Sequence, residues 1–390
     1  MKFNFLFFTY LFISTILYSQ NVDEYYRVLK EEGKAPILFI KEQVNNYDLI
    51  ILDDALHAAV EPFDFCCEYL EKYPNSIDYV FLEVITIVSQ GYIDSFLNSQ
   101  VKDTLILSKV FQQDYGYGWR YETYLMLLSK IWDINQKLPT EDRVRVIGVN
   151  QPIYWEGLHT KEEYTIFQES LLTRDYFMYK MIMKYMNNFD SGKKGLFLTN
   201  TRHAYKGIRN RNGELFWNTG TFFHQWHTGK TYSVRFHNMN LFIESEKNVK
   251  NHSTEGLDRI TYKWVRMGEG MWDKAFEKNR NKPVAIPFKE NIFGRYPYIG
   301  NHMLNAQEGQ TMYDAYDALI FLKPLEKTKF SAQIDFIYTQ AFKQQIERRI
   351  KVIQGDALEN FLQNNNFKDI NEYIENMCKY VPERPNPFVN

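Results

Sequence analysis

The sequence lacks several features that would assign it to a common functional class. It has three cysteines in 390 residues, two of them adjacent (Cys66 and Cys67), so it describes neither a disulfide scaffold nor a CxxC metal site, although one link to Cys378 remains open. It contains no Gly-x-Ser-x-Gly motif, which disfavours a serine hydrolase of the familiar α/β type, and no His-Glu-x-x-His zinc motif. The formal net charge of -2 gives no global field that would favour nucleic acid.

One apolar segment lies at the N-terminus. Lys2 supplies a minimal positive region, and Phe5–Leu17 is an apolar run too short for a comfortable membrane span. This pattern predicts a signal peptide over residues 1–20, cleaved near Ser19 or Gln20, and therefore export to the periplasm or the cell exterior. An uncleaved N-terminal anchor is the alternative, because the cleavage site follows the small-x-small pattern only in part. After cleavage we expect no integral membrane span.

Residues 21–390 are predicted to form a single α/β domain. The 45% hydrophobic content of the chain is enough to bury a large core, and no Pro/Ser/Gly linker or change of composition divides it. Short apolar runs alternate with helical patterns, which predicts a largely parallel central sheet flanked by helices. The charged segment from Ile334 to Tyr380 predicts a helical C-terminal region of one or two long helices.

Polar clusters follow three of the predicted strands. Leu49–Leu52 leads to Asp54 and His57, Tyr79–Leu82 ends at Glu83, and Gly195–Thr199 leads to His203. Buried parallel strands deliver side chains to the carboxyl edge of a sheet, where open α/β folds place their ligand sites. We therefore expect these four polar side chains to lie around one cleft, although a histidine alone is more often a satisfied loop or core residue.

Two further segments contain clusters of charged or aromatic residues. Glu162–Asn187 is predicted to be one long helix that carries Arg174 and Asp175, a charged pair that is otherwise typical of a solvated face. Asp114–Tyr121 is rich in glycine and aromatic residues, including Trp119. Such a composition is typical either of a loop that lines a cleft or of a rigid packed turn.

The pattern also predicts the other main elements. Helices are expected after Pro62, over Leu125–Leu138 and over Gly270–Asn279, and strands over Val144–Val149, Thr231–Phe236, Val284–Phe288 and Tyr316–Leu322. Asn248–Glu255 is predicted to be an exposed loop. His224 and His227 are three residues apart and could be metal ligands, although packing or a surface position explains them better.

The order of these motifs resembles that of the erythromycin esterase-like superfamily, whose wider relatives include ChaN-like haem-binding proteins and TIKI or TraB-type proteins. Asp53–Ala58 occupies the place of the family's Gly-Glu-Ala-Thr-His-Gly motif, and Glu83 that of the glutamate ending the next strand. The matches continue, in order, with Trp119, Glu122, Asn135, Val144–Asn150, Arg174–Met178, Asn200–His203 and Asp317–Phe321. The sequence departs from the family at Asp54 (Glu in the family), Leu56 (Thr), Ala58 (Gly) and Asn200 (His).

The resemblance implies an exported hydrolase that cleaves an ester or related bond of a small molecule with activated water. His57 would be the general base and Asp54 and Glu83 its partners, since a carboxylate fixes an imidazole tautomer and stabilises the imidazolium. No cofactor is expected. The other candidate site residues are His203 and Arg174, which would polarise the ester oxygen, and Trp119, Asn200 and Arg202, which would bind the substrate.

Two alternatives come from other classes of protein. Two imidazoles and two carboxylates could bind a divalent metal such as Mn, Fe or Zn, which would give a metal-dependent hydrolase. A relative without turnover could instead be a ligand-binding protein of the periplasm or cell surface, such as a ChaN-like component of haem or iron uptake that uses tyrosine ligands. The departures from the family motifs leave both alternatives open.

Overall fold

The computed structural model describes residues 22–243, 262–298 and 306–389. Its strands are β1 (Leu49–Asp53), β2 (Tyr79–Thr86), β3 (Arg145–Asn150), β4 (Gly195–Thr199), β5 (Thr231–Phe236), β6 (Asn240–Ile243), β7 (Tyr262–Val265), β8 (Val284–Pro287), β9 (Ala318–Phe321), β10 (Lys329–Phe330) and β11 (Arg384–Pro385). Its helices are α1 (22–31), α2 (Pro36–Asn46), α3 (Glu61–Lys72), α4 (Gln90–Asn98), α5 (Leu107–Gln112), α6 (Glu122–Asn135), α7 (Lys161–Ser170), α8 (Arg174–Tyr185), α9 (Thr201–Ala204), α10 (Thr219–Trp226), α11 (Met271–Lys278), α12 (Ile292–Arg295), α13 (Met312–Ala315), α14 (Gln340–Gln354), α15 (Leu358–Asn364) and α16 (Ile370–Met377).

A seven-stranded sheet forms the centre of the described chain, in the order β3-β2-β4-β1-β5-β9-β8. The central strand β1 pairs in parallel with β4 and β5, so that Asp53 lies opposite Thr199 on one side and Arg235 on the other. The remaining pairs are also parallel, except that β8 runs antiparallel to β9 at one edge. The predicted largely parallel α/β sheet is therefore confirmed.

Helices cover both faces of the sheet, which explains why its central strands are apolar throughout. Every residue of β1 and of β4 is buried. Ile50 and Leu52 join a core with side chains of α2, α3 and α6, whereas Leu49 and Ile51 join a core on the other face with side chains of α8 and α11. Since successive side chains of a strand point to opposite faces, both sets must be apolar when both faces are covered.

Several predicted elements differ in detail from those found. The strand predicted to end at Glu83 continues to Thr86 as β2, and the pairs β6–β7 and β10–β11 are not among the predicted strands. The predicted signal peptide and the predicted loop Asn248–Glu255 lie outside the described residues. Among the helices that are described, none has the length and apolar character needed to cross a membrane.

The prediction of one long helix over Glu162–Asn187 is wrong. A 3-10 turn at Leu171–Thr173 divides it into α7 and α8. The break restarts the helix at Arg174, so this residue and Asp175 lie in the first turn of α8. The helical C-terminal region is confirmed, but it consists of α14, α15 and α16 rather than one or two long helices; α14 ends at Gly355, whose φ of 53° is a conformation that glycine adopts readily.

Candidate functional site

The candidate site lies at the carboxyl edge of the sheet, where β1, β2 and β4 end. Asp54 and His57 follow β1, Glu83 lies in the second half of β2, and His203 lies on the short helix α9 that follows β4. The register between β2 and β3 shifts beside Glu83, and such irregularities re-aim side chains next to functional sites. The structure thus brings together the four predicted side chains, of which Asp54, His57 and His203 follow strands and Glu83 lies within one.

His57 is anchored through only one of its nitrogens. Its Nδ1 lies 2.8 Å from Asp54 Oδ2 and 3.3 Å from the Tyr124 hydroxyl, and Asp54 Oδ1 accepts a hydrogen bond from Asn200 Nδ2 at 3.2 Å. No residue of the described ranges hydrogen-bonds to His57 Nε2, and Glu83 Oε2 is 3.8 Å from it. Because the side chain is 24% exposed, solvent can reach the ring.

The loop that carries Asp54 and His57 begins with a strained turn. Ala55 has a φ of 60°, a left-handed conformation that is uncommon for a residue with a Cβ atom. Its N–H donates to Asp53 Oδ1 at 2.8 Å, while Asp53 Oδ2 accepts hydrogen bonds from Arg235 Nη1 at 2.8 Å and the Tyr316 hydroxyl at 2.7 Å. Because Asp53 and Arg235 are buried, their ion pair holds this turn from inside the sheet.

Glu83 links the two halves of the site. Its Oε2 accepts hydrogen bonds from the Thr199 hydroxyl at 2.7 Å and the Asn200 N–H at 2.9 Å, and its Oε1 accepts one from Arg174 Nη2 at 2.8 Å. Burial alone would raise the pKa of this carboxyl, but the neighbouring His203, His57 and Arg174 outweigh burial and hold the pKa well below its usual range. Glu83 is therefore a permanent buried anion.

Arg174 is fixed by three different partners. Besides Glu83, its Nη1 donates to His203 Nε2 at 3.1 Å and its Nε donates to Asn150 Oδ1 at 2.7 Å. The same Asn150 oxygen accepts from the Tyr115 hydroxyl at 2.8 Å, and the guanidinium lies 5.6 Å from the centre of the Tyr115 ring. These contacts fix the position and the orientation of the guanidinium at the start of α8.

His203 is buried and both of its nitrogens are engaged. Its Nδ1 lies 2.7 Å from Asp175 Oδ1, which also accepts hydrogen bonds from the N–H and hydroxyl of Thr219, each at 2.8 Å. Because Arg174 can only donate, a neutral His203 must carry its proton on Nδ1 and accept at Nε2. Burial would raise the pKa of Asp175, but His203 and the Thr219 donors lower it.

The pKa of His57 is shifted upwards by its carboxylate neighbours. Burial alone would lower the pKa, but Asp54 and Glu83 outweigh burial and raise it to about 9. Burial also raises the pKa of Asp54, although His57 opposes this effect. At neutral pH the resting site therefore contains an imidazolium between two carboxyl groups.

The three predicted binding residues have different positions. The Trp119 ring lies edge-on to the His57 ring, with the two ring centroids 5.2 Å apart, and so lines the candidate site beside His57. Asn200 contacts both Asp54 and Glu83. Arg202 has an exposed side chain, and it contributes a backbone carbonyl that accepts a hydrogen bond from Asn218 Nδ2 at 2.9 Å; its side chain is not brought into the site.

Four residues of the site are not among those predicted from the sequence: Tyr124, Asn150, Asp175 and Thr219. Asp175 had a signal, because it directly follows Arg174 in a matched motif. For Tyr124 the sequence gives no such signal, because the apolar periodicity of its helix already accounts for an aromatic residue at that position.

The donor set does not fit the metal site that was the alternative prediction. Within the described residues, no group of three or more His, Cys, Asp or Glu side chains is placed to hold a metal ion. Arg174 contacts both Glu83 and His203, at 2.8 Å and 3.1 Å, and these two residues are themselves 3.4 Å apart. The positive charge of this guanidinium would repel a cation bound by the same two residues. His227 contacts the Tyr179 hydroxyl at 2.7 Å and packs among aromatic rings.

The chain is similar to several solved structures. No family model and no curated protein matches its sequence. A protein from Bacillus cereus has a TM-score of 0.51 at 12% identity, over 78% of this chain and 97% of that one, and a succinoglycan biosynthesis protein has a TM-score of 0.51 at 9% identity, over 77% and 97%. A mutant erythromycin esterase in its open conformation has a TM-score of 0.47 at 9% identity, over 75% and 97%. At such identities the likeness concerns the fold alone. The chain shares its fold with the Bacillus cereus protein and the succinoglycan biosynthesis protein, and the predicted resemblance is confirmed at the level of the fold.

Proposed function

We propose that the protein is an exported hydrolase that cleaves an ester or a related bond of a small molecule with water activated by His57. The asymmetry of His57 supports this most directly: Nδ1 is bound to Asp54, Nε2 has no hydrogen-bond partner in the described chain, and the ring is partly exposed. An imidazole held in this way presents one lone pair in a defined direction, as a general base requires. Export is proposed from the N-terminal segment alone.

In the proposed reaction, neutral His57 takes a proton from water through Nε2 while the water oxygen attacks the carbonyl carbon. Asp54 stabilises the imidazolium that forms, because it accepts the hydrogen bond of Nδ1 at 2.8 Å. The bond from the carbonyl carbon to the leaving oxygen then breaks, and the imidazolium returns its proton to that oxygen. One water is consumed, an acid and an alcohol are released, and His57 is neutral again.

Arg174 is the proposed partner of the developing negative charge. A guanidinium has five N–H groups, and the hydrogen bonds to Glu83, His203 and Asn150 use three of them. These three bonds leave two N–H groups unused, and the side chain is 18% exposed. Because its partners already fix its position, Arg174 would stabilise an oxyanion without reorganising.

The pKa of His57, about 9, sets the pH dependence of this mechanism. Only the neutral ring acts as a base, and about 1% of the molecules carry it at pH 7. We therefore expect kcat/KM to rise about tenfold per pH unit up to pH 9 and to level off above it. A profile that levels off near pH 6.5 would contradict the role given to Asp54 and Glu83.

The function is tested with a panel of p-nitrophenyl and short alkyl esters. His57→Ala is expected to lose roughly 10²- to 10⁴-fold in kcat/KM, the usual contribution of a general base, while circular dichroism shows an intact fold. His159→Ala is the matched control, because His159 is an exposed histidine outside the site, and it should keep full activity. A folded His57→Ala variant that hydrolyses a substrate of the parent at the parent rate would overturn the proposal.

A further inference from the structure

A cluster of aromatic side chains lies open to solvent beside the candidate site. We call it the aromatic face: Tyr176 on α8, Trp217 before α10, and Phe222 and Trp226 on α10. Tyr176, Trp217 and Trp226 are 45%, 46% and 51% exposed. The rings nevertheless pack together, with centroids 5.1 Å apart for Trp217–Phe222, 4.9 Å for Phe222–Trp226 and 5.6 Å for Trp217–Trp226. Contiguous exposed apolar surface of this kind marks a place of interaction.

The aromatic face is preformed. At one end of α10, the N–H and the hydroxyl of Thr219 both donate to Asp175 at the start of α8. At the other end, His227 Nε2 lies 2.7 Å from the Tyr179 hydroxyl of α8. Because the two helices are joined at both ends, the rings keep their positions without a partner.

Cationic side chains border the aromatic face. Lys180 and Lys184 follow Tyr176 at intervals of four residues, so they continue the same side of α8, and both are exposed. Arg202 is exposed as well, and its carbonyl accepts a hydrogen bond from Asn218, the neighbour of Trp217. Within the described ranges none of these three cations forms an ion pair. An apolar centre with unpaired cations at its border is complementary to an apolar layer with anionic head groups.

We propose that the aromatic face docks on the surface of a lipid bilayer that contains anionic lipids. Trp and Tyr rings lie at the level of the head groups, where one part of the ring is apolar and another part is wet. The side chain of Leu172, 91% exposed on the turn before α8, extends the apolar part. Lys180, Lys184 and Arg202 each contribute roughly fivefold to partitioning onto an anionic surface. Docking is independent of the proposed hydrolysis.

A neutral glycan fits the aromatic face less well than a bilayer does. The planes of Trp217, Phe222 and Trp226 are tilted against one another by 31°, 39° and 44°, so the rings do not form one flat platform for sugar stacking. Binding of a neutral sugar would also leave the bordering cations without a role.

The test is co-sedimentation of the full protein with vesicles of phosphatidylcholine, with and without phosphatidylglycerol, together with its tryptophan emission. We expect binding that requires phosphatidylglycerol, weakens with salt and shifts the emission to the blue. Trp217→Ala with Trp226→Ala should lower the partition coefficient at least about tenfold. Lys180→Glu with Lys184→Glu should remove the dependence on phosphatidylglycerol without touching the packed rings, so this second variant carries the test if the first does not fold.

The matched control is Tyr380→Ala. It removes an aromatic side chain that is 58% exposed and does not belong to the aromatic face, and it should bind vesicles as the parent does. The proposal would be overturned if the tryptophan double variant and the lysine double variant both bound vesicles as tightly as the parent. It would also be overturned by a parent that does not bind vesicles but forms a dimer that the tryptophan variants dissociate, because the face would then be covered by a second copy. Failure of ester hydrolysis in the same preparations would count against the proposed function only.

Discussion

The two histidines of the site both face Glu83, yet their surroundings differ. His203 is 2% exposed and has partners at both nitrogens, Asp175 and Arg174. His57 is 24% exposed and, among the described residues, forms hydrogen bonds through Nδ1 only. The first histidine belongs to a network that joins β2, α8 and α10, whereas the second lies on a loop after a strained turn and has one nitrogen without a partner in the described ranges.

The difference between the two histidines distinguishes a supporting role, for His203, from a proposed chemical role, for His57. A side chain whose hydrogen-bonding groups are all satisfied can position its neighbours but cannot take a proton without breaking a bond. One free nitrogen on an otherwise anchored ring meets the need of a general base. We therefore propose that the site combines a rigid half around His203 and Arg174 with a reactive half around His57, and Glu83 lies beside both.

Glu83→Gln should have the largest effect, because it removes the charge that both halves share. The change removes a buried anion, leaves the partly buried Arg174 without its partner and weakens the site around His203. Breaking a buried pair from one side costs about 3–5 kcal/mol in the free energy of unfolding. Chemical denaturation measures this loss, and Glu169→Gln, on the exposed side of α7, is the control. A loss below about 1 kcal/mol would mean that Glu83 does not join the two halves.

The sequence was sufficient to predict the sheet and the place of the site. Runs such as Leu49–Leu52 and Gly195–Thr199 are apolar at every position because both faces of the sheet are covered, and this pattern is local. The polar residues that follow each run then meet at one edge because parallel strands all end there. His57 and Glu83 could therefore be placed near each other without a structure.

The partners that fix these residues could not be predicted in the same way. Asp53 binds Arg235 and Tyr316, which lie far along the chain, and no local pattern records such a pairing. The break at Leu171–Thr173 is another example, because the sequence pattern predicts a single helix across the 3-10 turn that the structure has there. It decides which side chains begin α8, and so it places Arg174 and Asp175 in the site.

The second prediction concerns the pH dependence of the free energy of unfolding, and it tests the part of the site around His57. Its pKa is about 9 in the folded protein, above the ordinary value of 6.5. Protonated His57 therefore stabilises the fold fully below pH 6.5, and this contribution is lost as the pH rises through 9. The difference in free energy of unfolding between the parent and His57→Gln should shrink by about 3 kcal/mol between these two values.

Urea denaturation at intervals from pH 6 to pH 10 measures this difference. His159→Gln is the control, because it changes an exposed histidine and should give a difference that does not vary with pH. A constant difference for His57→Gln would mean that Asp54 and Glu83 do not hold a proton on the ring, and the alkaline profile expected for catalysis would lose its basis.

The smallest effect distinguishes the two histidines above pH 9, where His57 no longer contributes through its charge. His203→Gln should still lose about 2 kcal/mol there, because Asp175 and Arg174 are left with an imperfect partner in a buried position. His57→Gln should lie within about 0.5 kcal/mol of the parent, as expected for a partly exposed residue with one anchoring bond. Equal losses for the two variants would contradict the division into a supporting and a reactive half, since the free nitrogen of His57 would then be as structural as the bound nitrogens of His203.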